Sequence, residues 1–104
     1  MDHRDVELPG FASGSLFTAA TRPIPGSATA FHLDGDRFGT MHDLVELAIS
    51  EQALEARSHQ AVPPGARVSL GFEAPGNPAR QGEVVACDPC GDGFRVGIRL
   101  ANAA

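Results

Sequence analysis

The chain has 104 residues and a net charge of −5, and 42% of its residues are hydrophobic. This length predicts a single small domain, and the acidic balance argues against a DNA- or RNA-binding protein, because such proteins need a basic surface. No stretch approaches the roughly 20 apolar residues of a membrane-spanning helix, so we expect no membrane insertion. With two cysteines and no export signal at the N-terminus, we expect a cytoplasmic protein.

Residues 1–16 are polar and rich in small residues, and they predict a flexible N-terminal arm ahead of a domain over residues 17–104. The segment 21–26, TRPIPG, has two prolines on either side of Ile24. Proline cannot donate a backbone hydrogen bond, so this segment is extended and is neither a helix interior nor a central strand.

A β-hairpin is predicted next. Residues 27–33, SATAFHL, have strand character, the turn sequence DGD follows at 34–36, and residues 37–44 form the returning strand. In this hairpin His32 and His42 face each other, and we expect them to be surface or edge residues.

Residues 44–57, LVELAISEQALEAR, fit two structures. Glutamate, glutamine, alanine and leucine are good helix formers, so propensity alone favours a helix. Val45, Leu47 and Ile49 can equally share one side of a β-strand. Local pattern leaves the choice open.

The rest of the chain predicts three strands, because apolar and polar residues alternate or β-branched residues cluster at 66–72, 82–87 and 94–100. Turn sequences separate them at 74–78 and 88–93. Short strands at this spacing indicate a small antiparallel sandwich or barrel.

Arg95 and Arg99 lie on the exposed side of the last predicted strand, FRVGIRL. Their spacing suits a grip on a phosphate, but it also suits the solvated face of an ordinary strand. Cys87 and Cys90 form a C-x-x-C without the further ligands of a zinc site or the helix of a redox site, so we interpret them as part of a turn. We find no catalytic motif and predict neither an enzyme nor a metal site.

Three stretches carry a family resemblance: PPGARVSLGF, QGEVVACDP and GFRVGIRL. Their order and spacing resemble the PilZ family, bacterial domains associated with cyclic di-GMP signalling. The resemblance covers residues 18–100 and is strongest over 63–100. It implies an all-β fold, a small six-stranded antiparallel β-barrel with at most a short helix, and therefore strands rather than a helix over 44–57.

The resemblance also implies a ligand site. Family members that bind cyclic di-GMP use R-x-x-x-R before the first barrel strand and D-x-S-x-x-G in a turn between later strands. Arginine forks suit phosphates and guanine edges, and a carboxylate accepts hydrogen bonds from guanine. Here Arg22 matches the second arginine, but Thr18 stands at the first. Asp43 is retained, whereas Val45 replaces the serine and Ala48 replaces the glycine. A less favoured register at 48–53 keeps only Ser50.

These departures predict weak binding of cyclic di-GMP or none. The lost contacts and the strain of alanine in a glycine turn sum to roughly 4–5 kcal/mol, about a thousandfold in affinity. The resemblance then implies a non-catalytic signalling or adaptor domain with a protein partner, in motility or pilus control, and no cofactor. One alternative is a genuine cyclic di-GMP receptor that uses Arg22 and Asp43. Another is an unrelated small β-barrel interaction domain.

Overall fold

The computed structural model describes residues 21–101, and the predicted arm at residues 1–16 lies outside the described residues. All regular secondary structure in the described part is β-strand. The seven strands are β1 (Arg22–Ile24), β2 (Ala28–His32), β3 (Met41–Ile49), β4 (Ala53–Ser58), β5 (Arg67–Phe72), β6 (Arg80–Cys90) and β7 (Gly93–Leu100).

The strands form a closed barrel. Six of them pair antiparallel in the order β3, β2, β5, β6, β7, β4, and β4 pairs back with β3 to close the ring. The short strand β1 pairs with the end of β3 as a seventh strand. The predicted all-β, six-stranded antiparallel barrel is confirmed. Within residues 21–101 there is no helix long and apolar enough to cross a bilayer.

The core lies inside the barrel and is built by alternation along the strands. In β7, Val96, Ile98 and Leu100 are buried while Arg95 and Arg99 are exposed, as the alternating sequence predicts. Each of the other strands contributes at least one buried apolar residue to this core. The largest fully buried apolar side chains are Leu44, Leu54, Val62, Val68, Leu70, Val84, Val96 and Ile98.

Residues 44–57 form β-strands, as the family resemblance implied and helix propensity did not. β3 ends at Ile49, a turn follows, and β4 begins at Ala53. Both strands lie between hydrogen-bonding neighbours, since β3 pairs with β2 and β4, and β4 pairs with β3 and β7. Pairing on both edges and burial of Leu44 and Leu54 outweigh the modest helix propensity of the segment.

The predicted bounds of two strands are wrong. The returning strand of the first hairpin begins at Met41 rather than at residue 37, because the loop folds into turns through Gly35 and Gly39, both with positive φ. The amide of Thr40 donates to the carbonyl of Arg37 within this loop. The strand predicted at 82–87 is longer and runs over residues 80–90, because its first residues pair with β5 and residues 82–90 pair with β7.

A β-bulge interrupts β3. The register with β4 shifts between Val45 and Ala48, and Glu46 has φ of 55°. Both Val45 and Glu46 are exposed, whereas Leu44 and Leu47 on either side are buried. A bulge of this kind places two consecutive residues on the outer face of a strand.

His32 and His42 do face each other across the hairpin, but they lie in the interior rather than at the surface. They are 2% and 4% exposed, and their Nε2 atoms are 2.9 Å apart. One ring must donate and the other accept, so at least one Nε2 carries no proton. The Nδ1 atom of His42 is buried without a hydrogen-bond partner.

Burial lowers the pKa of both histidines. For His32 the nearby Arg37 adds to this effect and Asp34 opposes it. For His42 the charges of His32 and Arg37 add to the effect, and the Gln60 side chain opposes it. A doubly protonated pair would place two N–H donors against each other in the interior, which destabilises the folded state.

We predict that replacing Glu46 with glycine stabilises the fold. A left-handed conformation costs a residue with a side chain roughly 1–2 kcal/mol, and glycine loses part of this gain through the entropy of the unfolded chain. We expect a net gain of about 0.5–1 kcal/mol in the free energy of unfolding, measured by urea denaturation. The control Glu46→Ala removes the same carboxylate but keeps the strained backbone. An equal gain in both variants would contradict this explanation.

We also predict that the fold loses stability as the pH falls below about 6.5, the ordinary histidine pKa. Both pKa values are lowered in the folded state, so the unfolded chain binds more protons in this range. The free energy of unfolding should be level above pH 6.5. Below it, the slope should approach about 1.4 kcal/mol per pH unit for each histidine. Urea denaturation at a series of pH values measures this slope, and the double variant His32→Leu/His42→Leu should remove it. The same slope in both chains would assign the effect to other groups.

Candidate functional site

Three of the four mapped ligand residues lie on the outer face of β3. Asp43 and Val45 are exposed and point away from the core, and Ala48 is partly exposed beyond the bulge. The family motif is expected in a turn between strands, but here it lies within a continuous strand. The left-handed residue of the motif is Glu46, and Ala48 has no positive φ.

Arg22 lies at the opposite end of this strand from Asp43. It pairs with Ile49, six residues farther along β3 than Asp43, which pairs with Thr29. At the usual rise of a β-strand this separation is roughly 15–20 Å. The structure therefore brings Arg22 close to Ala48, whose partner is Pro23, but not to Asp43.

The surroundings of Arg22 contain a second arginine that the sequence did not reveal. A depression of about 420 Å³ is lined by Thr21, Arg22, Ile49, Ser50, Glu51 and Arg80. The guanidinium of Arg80 donates to the backbone carbonyls of Glu51 and Ala101, at 3.2 and 3.0 Å. Ser50, from the less favoured register, also lies here. Arg80 begins β6, far from the motif in sequence, and only barrel closure places it beside Arg22.

Asp43 lies in a different depression, of about 330 Å³, lined by Met41, His42, Asp43, Ser58, His59 and Gln60. No residue lines both depressions. A single ligand that contacts both Arg22 and Asp43 would have to extend along the outer face of β3.

The arginines of the last strand are engaged by carboxylates on neighbouring strands. Arg95 Nε lies 2.7 Å from Glu55 of β4, and Arg99 Nη2 lies 2.9 Å from Glu83 of β6. Gly97, between the two arginines, is buried. This arrangement favours the interpretation of Arg95 and Arg99 as the solvated face of a strand with cross-strand ion pairs.

The C-x-x-C residues lie on β6 rather than in a turn, so the predicted turn at 88–93 is reduced to Gly91 and Asp92. Both thiols are free, and Cys87 Sγ accepts a hydrogen bond from the amide of Val62 at 3.3 Å. Among residues 21–101 there is no group of three or more histidine, cysteine or acidic side chains placed to hold a metal ion.

An exposed apolar surface runs beside Asp43 on the β2–β3 hairpin; we call Phe31, Phe38, Met41 and Val45 the apolar stripe. Phe38, Met41 and Val45 are 66%, 61% and 41% exposed. Phe31 is half-buried, pairs with Met41 across the strands, and meets the Phe38 ring edge-on with centroids 6.0 Å apart. Sequence reasoning missed this surface, because whether each residue points inward or outward depends on where the strands begin and end.

Comparison of the chain with family models, with curated proteins and with solved structures finds no match. The function therefore has to be argued from the residues and geometry of this chain.

Proposed function

We propose that the chain is a non-catalytic signalling or adaptor domain of PilZ type that acts in the bacterial cytoplasm through contacts with another protein, in motility or pilus control. It binds cyclic di-GMP weakly or not at all. The observation that carries this proposal is the outer face of β3. At the positions where the ligand motif has a serine and a glycine, the chain has Val45 and Ala48, and Val45 belongs to the exposed apolar stripe.

The chemistry of the mapped site supports weak ligand binding. Thr18 cannot supply the charge-assisted contact of an arginine, which is worth about 1.5–3 kcal/mol, and Val45 lacks the hydroxyl of a serine, worth about 1 kcal/mol. The replacement of glycine by Ala48 adds little, because the left-handed conformation falls on Glu46 instead. The remaining loss of roughly 2.5–4 kcal/mol corresponds to about a hundredfold to a thousandfold in affinity.

Protein contact is the use that best fits the same face. Exposed apolar side chains that adjoin one another are typical of interaction sites, whereas isolated ones are ordinary. Phe31, Phe38 and Met41 adjoin one another on one hairpin, and Val45 continues the same face of β3.

A genuine receptor for cyclic di-GMP is the second candidate, and Arg80 favours it. Arg80 brings a second guanidinium into the depression that holds Arg22, where the family motif would use an arginine at residue 18. Two guanidinium groups in one depression suit a phosphate.

Titration calorimetry with cyclic di-GMP distinguishes these candidates. We expect no saturable heat up to high micromolar ligand with the native chain, because the mapped site lacks an arginine and a hydroxyl. The receptor candidate predicts saturable binding that is lost in Arg22→Ala and in Arg80→Ala. The matched control is Arg99→Ala, which removes an exposed arginine of another face. Binding that survives in this control but not in the first two variants would overturn the proposal.

Restoring the motif tests the PilZ assignment itself. We predict that Thr18→Arg combined with Val45→Ser creates measurable binding of cyclic di-GMP, tighter than that of the native chain by about a hundredfold or more. The matched control adds Asp43→Ala to the same double variant, which removes the retained carboxylate. A restored chain that stays folded, checked by circular dichroism, but binds no cyclic di-GMP would favour an unrelated β-barrel interaction domain.

A further inference from the structure

We propose that the apolar stripe of Phe31, Phe38, Met41 and Val45 docks a protein segment that carries apolar and basic side chains together. This inference rests on the proposed function, since it names the chemistry of the partner that an adaptor domain would hold at this face. It is carried by three features of the β2–β3 hairpin: the exposed apolar side chains, the acidic groups among them, and the buried hydrogen bonds that order the strands beneath them.

The apolar side chains form a surface long enough for a peptide. Met41 and Val45 lie four residues apart on one face of β3, which is roughly 13 Å. Phe38 extends this surface beyond Met41, and its ring is held edge-on against Phe31. A peptide segment of a few residues could bury three large side chains here at once. Burial of large exposed side chains is the main source of affinity in such contacts.

The charges around these side chains are acidic. Asp43 lies between Met41 and Val45 on the outer face, Glu46 follows Val45, and Asp36 lies in the hairpin loop. None of the three forms an ion pair with another residue of the described part of the chain, 21–101. Basic side chains on a partner would complement these carboxylates, speed association and select against acidic partners.

The nearest arginines do not neutralise these three carboxylates. Arg57 pairs with Val45 across β3 and β4, but its guanidinium lies 2.6 Å from Asp92. That ion pair lowers the pKa of Asp92 and raises the pKa of Arg57. Arg37 in the loop is the one arginine close to Phe38 in sequence. Its single positive charge is outnumbered by the three carboxylates of Asp36, Asp43 and Glu46.

The same charges disfavour two other occupants. A second copy of the chain would bring the same carboxylates and a net charge of −5 to the contact. The start of the chain, MDHRDVELPG, carries three acidic residues and one arginine, so it would also be repelled. A basic segment of another protein fits the surface better than either.

The loop end of the hairpin strands, which carries Phe31 and Met41, is ordered in the free protein. The buried His32–His42 hydrogen bond joins β2 to β3 directly beneath the residues of the stripe, and the amide of His32 donates to Thr40. A surface that is already ordered loses less entropy on binding.

A displayed library of short random peptides, selected on the full immobilised chain, tests the proposal without assuming a partner. We expect the enriched peptides to combine apolar residues with arginine or lysine and to carry net positive charge. The double variant Phe38→Ser/Met41→Ser should lose at least tenfold in affinity for them, measured by calorimetry with synthetic peptides. Phe38→Leu, which keeps an apolar side chain, should retain binding.

The requirement for basic side chains on the peptide is tested by a pair of aspartate variants. Asp43→Asn should lower the affinity for the selected peptides by about fivefold, and by less at high salt, whereas Asp88→Asn on the distant strand β6 should leave this affinity unchanged.

Enrichment of neutral or acidic peptides on the stripe would overturn the basic partner but leave the proposed adaptor function standing. Equal binding to the Phe38→Ser/Met41→Ser variant, or no enrichment, would overturn the stripe as the docking site. A dimer in analytical ultracentrifugation that this variant abolishes would identify a second copy as the occupant instead.

Discussion

The pairing of β3 with β4 is the constraint on which the rest of the structure depends. Without it the remaining strands would form an open sheet from β3 to β4, with two unpaired edges. β3 also pairs with β1 and β2, so one strand fixes the position of three others. The bulge at Glu46 lies between the part of β3 that pairs with β2 and the part that pairs with β1. The candidate site residues are therefore arranged along the element that closes the barrel.

The β2–β3 hairpin inverts the usual distribution of polar and apolar side chains. Two histidines are buried at the loop end of its strands, and two large apolar side chains, Phe38 and Met41, are exposed in the loop and beside His42. Neither arrangement stabilises the fold. Burying an imidazole costs free energy unless the ring is neutral and hydrogen-bonded, and an exposed phenyl ring contributes no hydrophobic stabilisation. Local departures from stable design of this kind are expected at functional sites. The histidines that we expect to make the fold pH-dependent therefore lie in the same hairpin as the surface that we propose for partner binding.

The arginines and the carboxylates are distributed unequally over the barrel. Arg57, Arg95 and Arg99 form ion pairs on β4 and β7, and Arg67 pairs with Asp34 at 3.2 Å. These exposed pairs add little stability each, but they neutralise their own side of the barrel. The carboxylates on the outer face of β3 have no such partners among the described residues. This face therefore carries a negative charge that the ion-paired side of the barrel lacks.

The sequence pattern by itself determined a small antiparallel β-structure, either sandwich or barrel, the approximate positions of the strands in the C-terminal half, and the buried side of β7. These features follow from alternation and turn residues, which act over a few neighbours. The six-stranded barrel was implied only by the family resemblance. For residues 44–57 the local pattern left helix and strand open and only the family resemblance implied strands. The physical reason for the strands is tertiary, because β3 and β4 are hydrogen-bonded on both edges. Tertiary structure alone decided that Arg80 joins Arg22, that Asp43 lies far from Arg22, and that His32 and His42 are buried. Each of these depends on which strands become neighbours when the barrel closes, and closure joins residues that are distant in sequence.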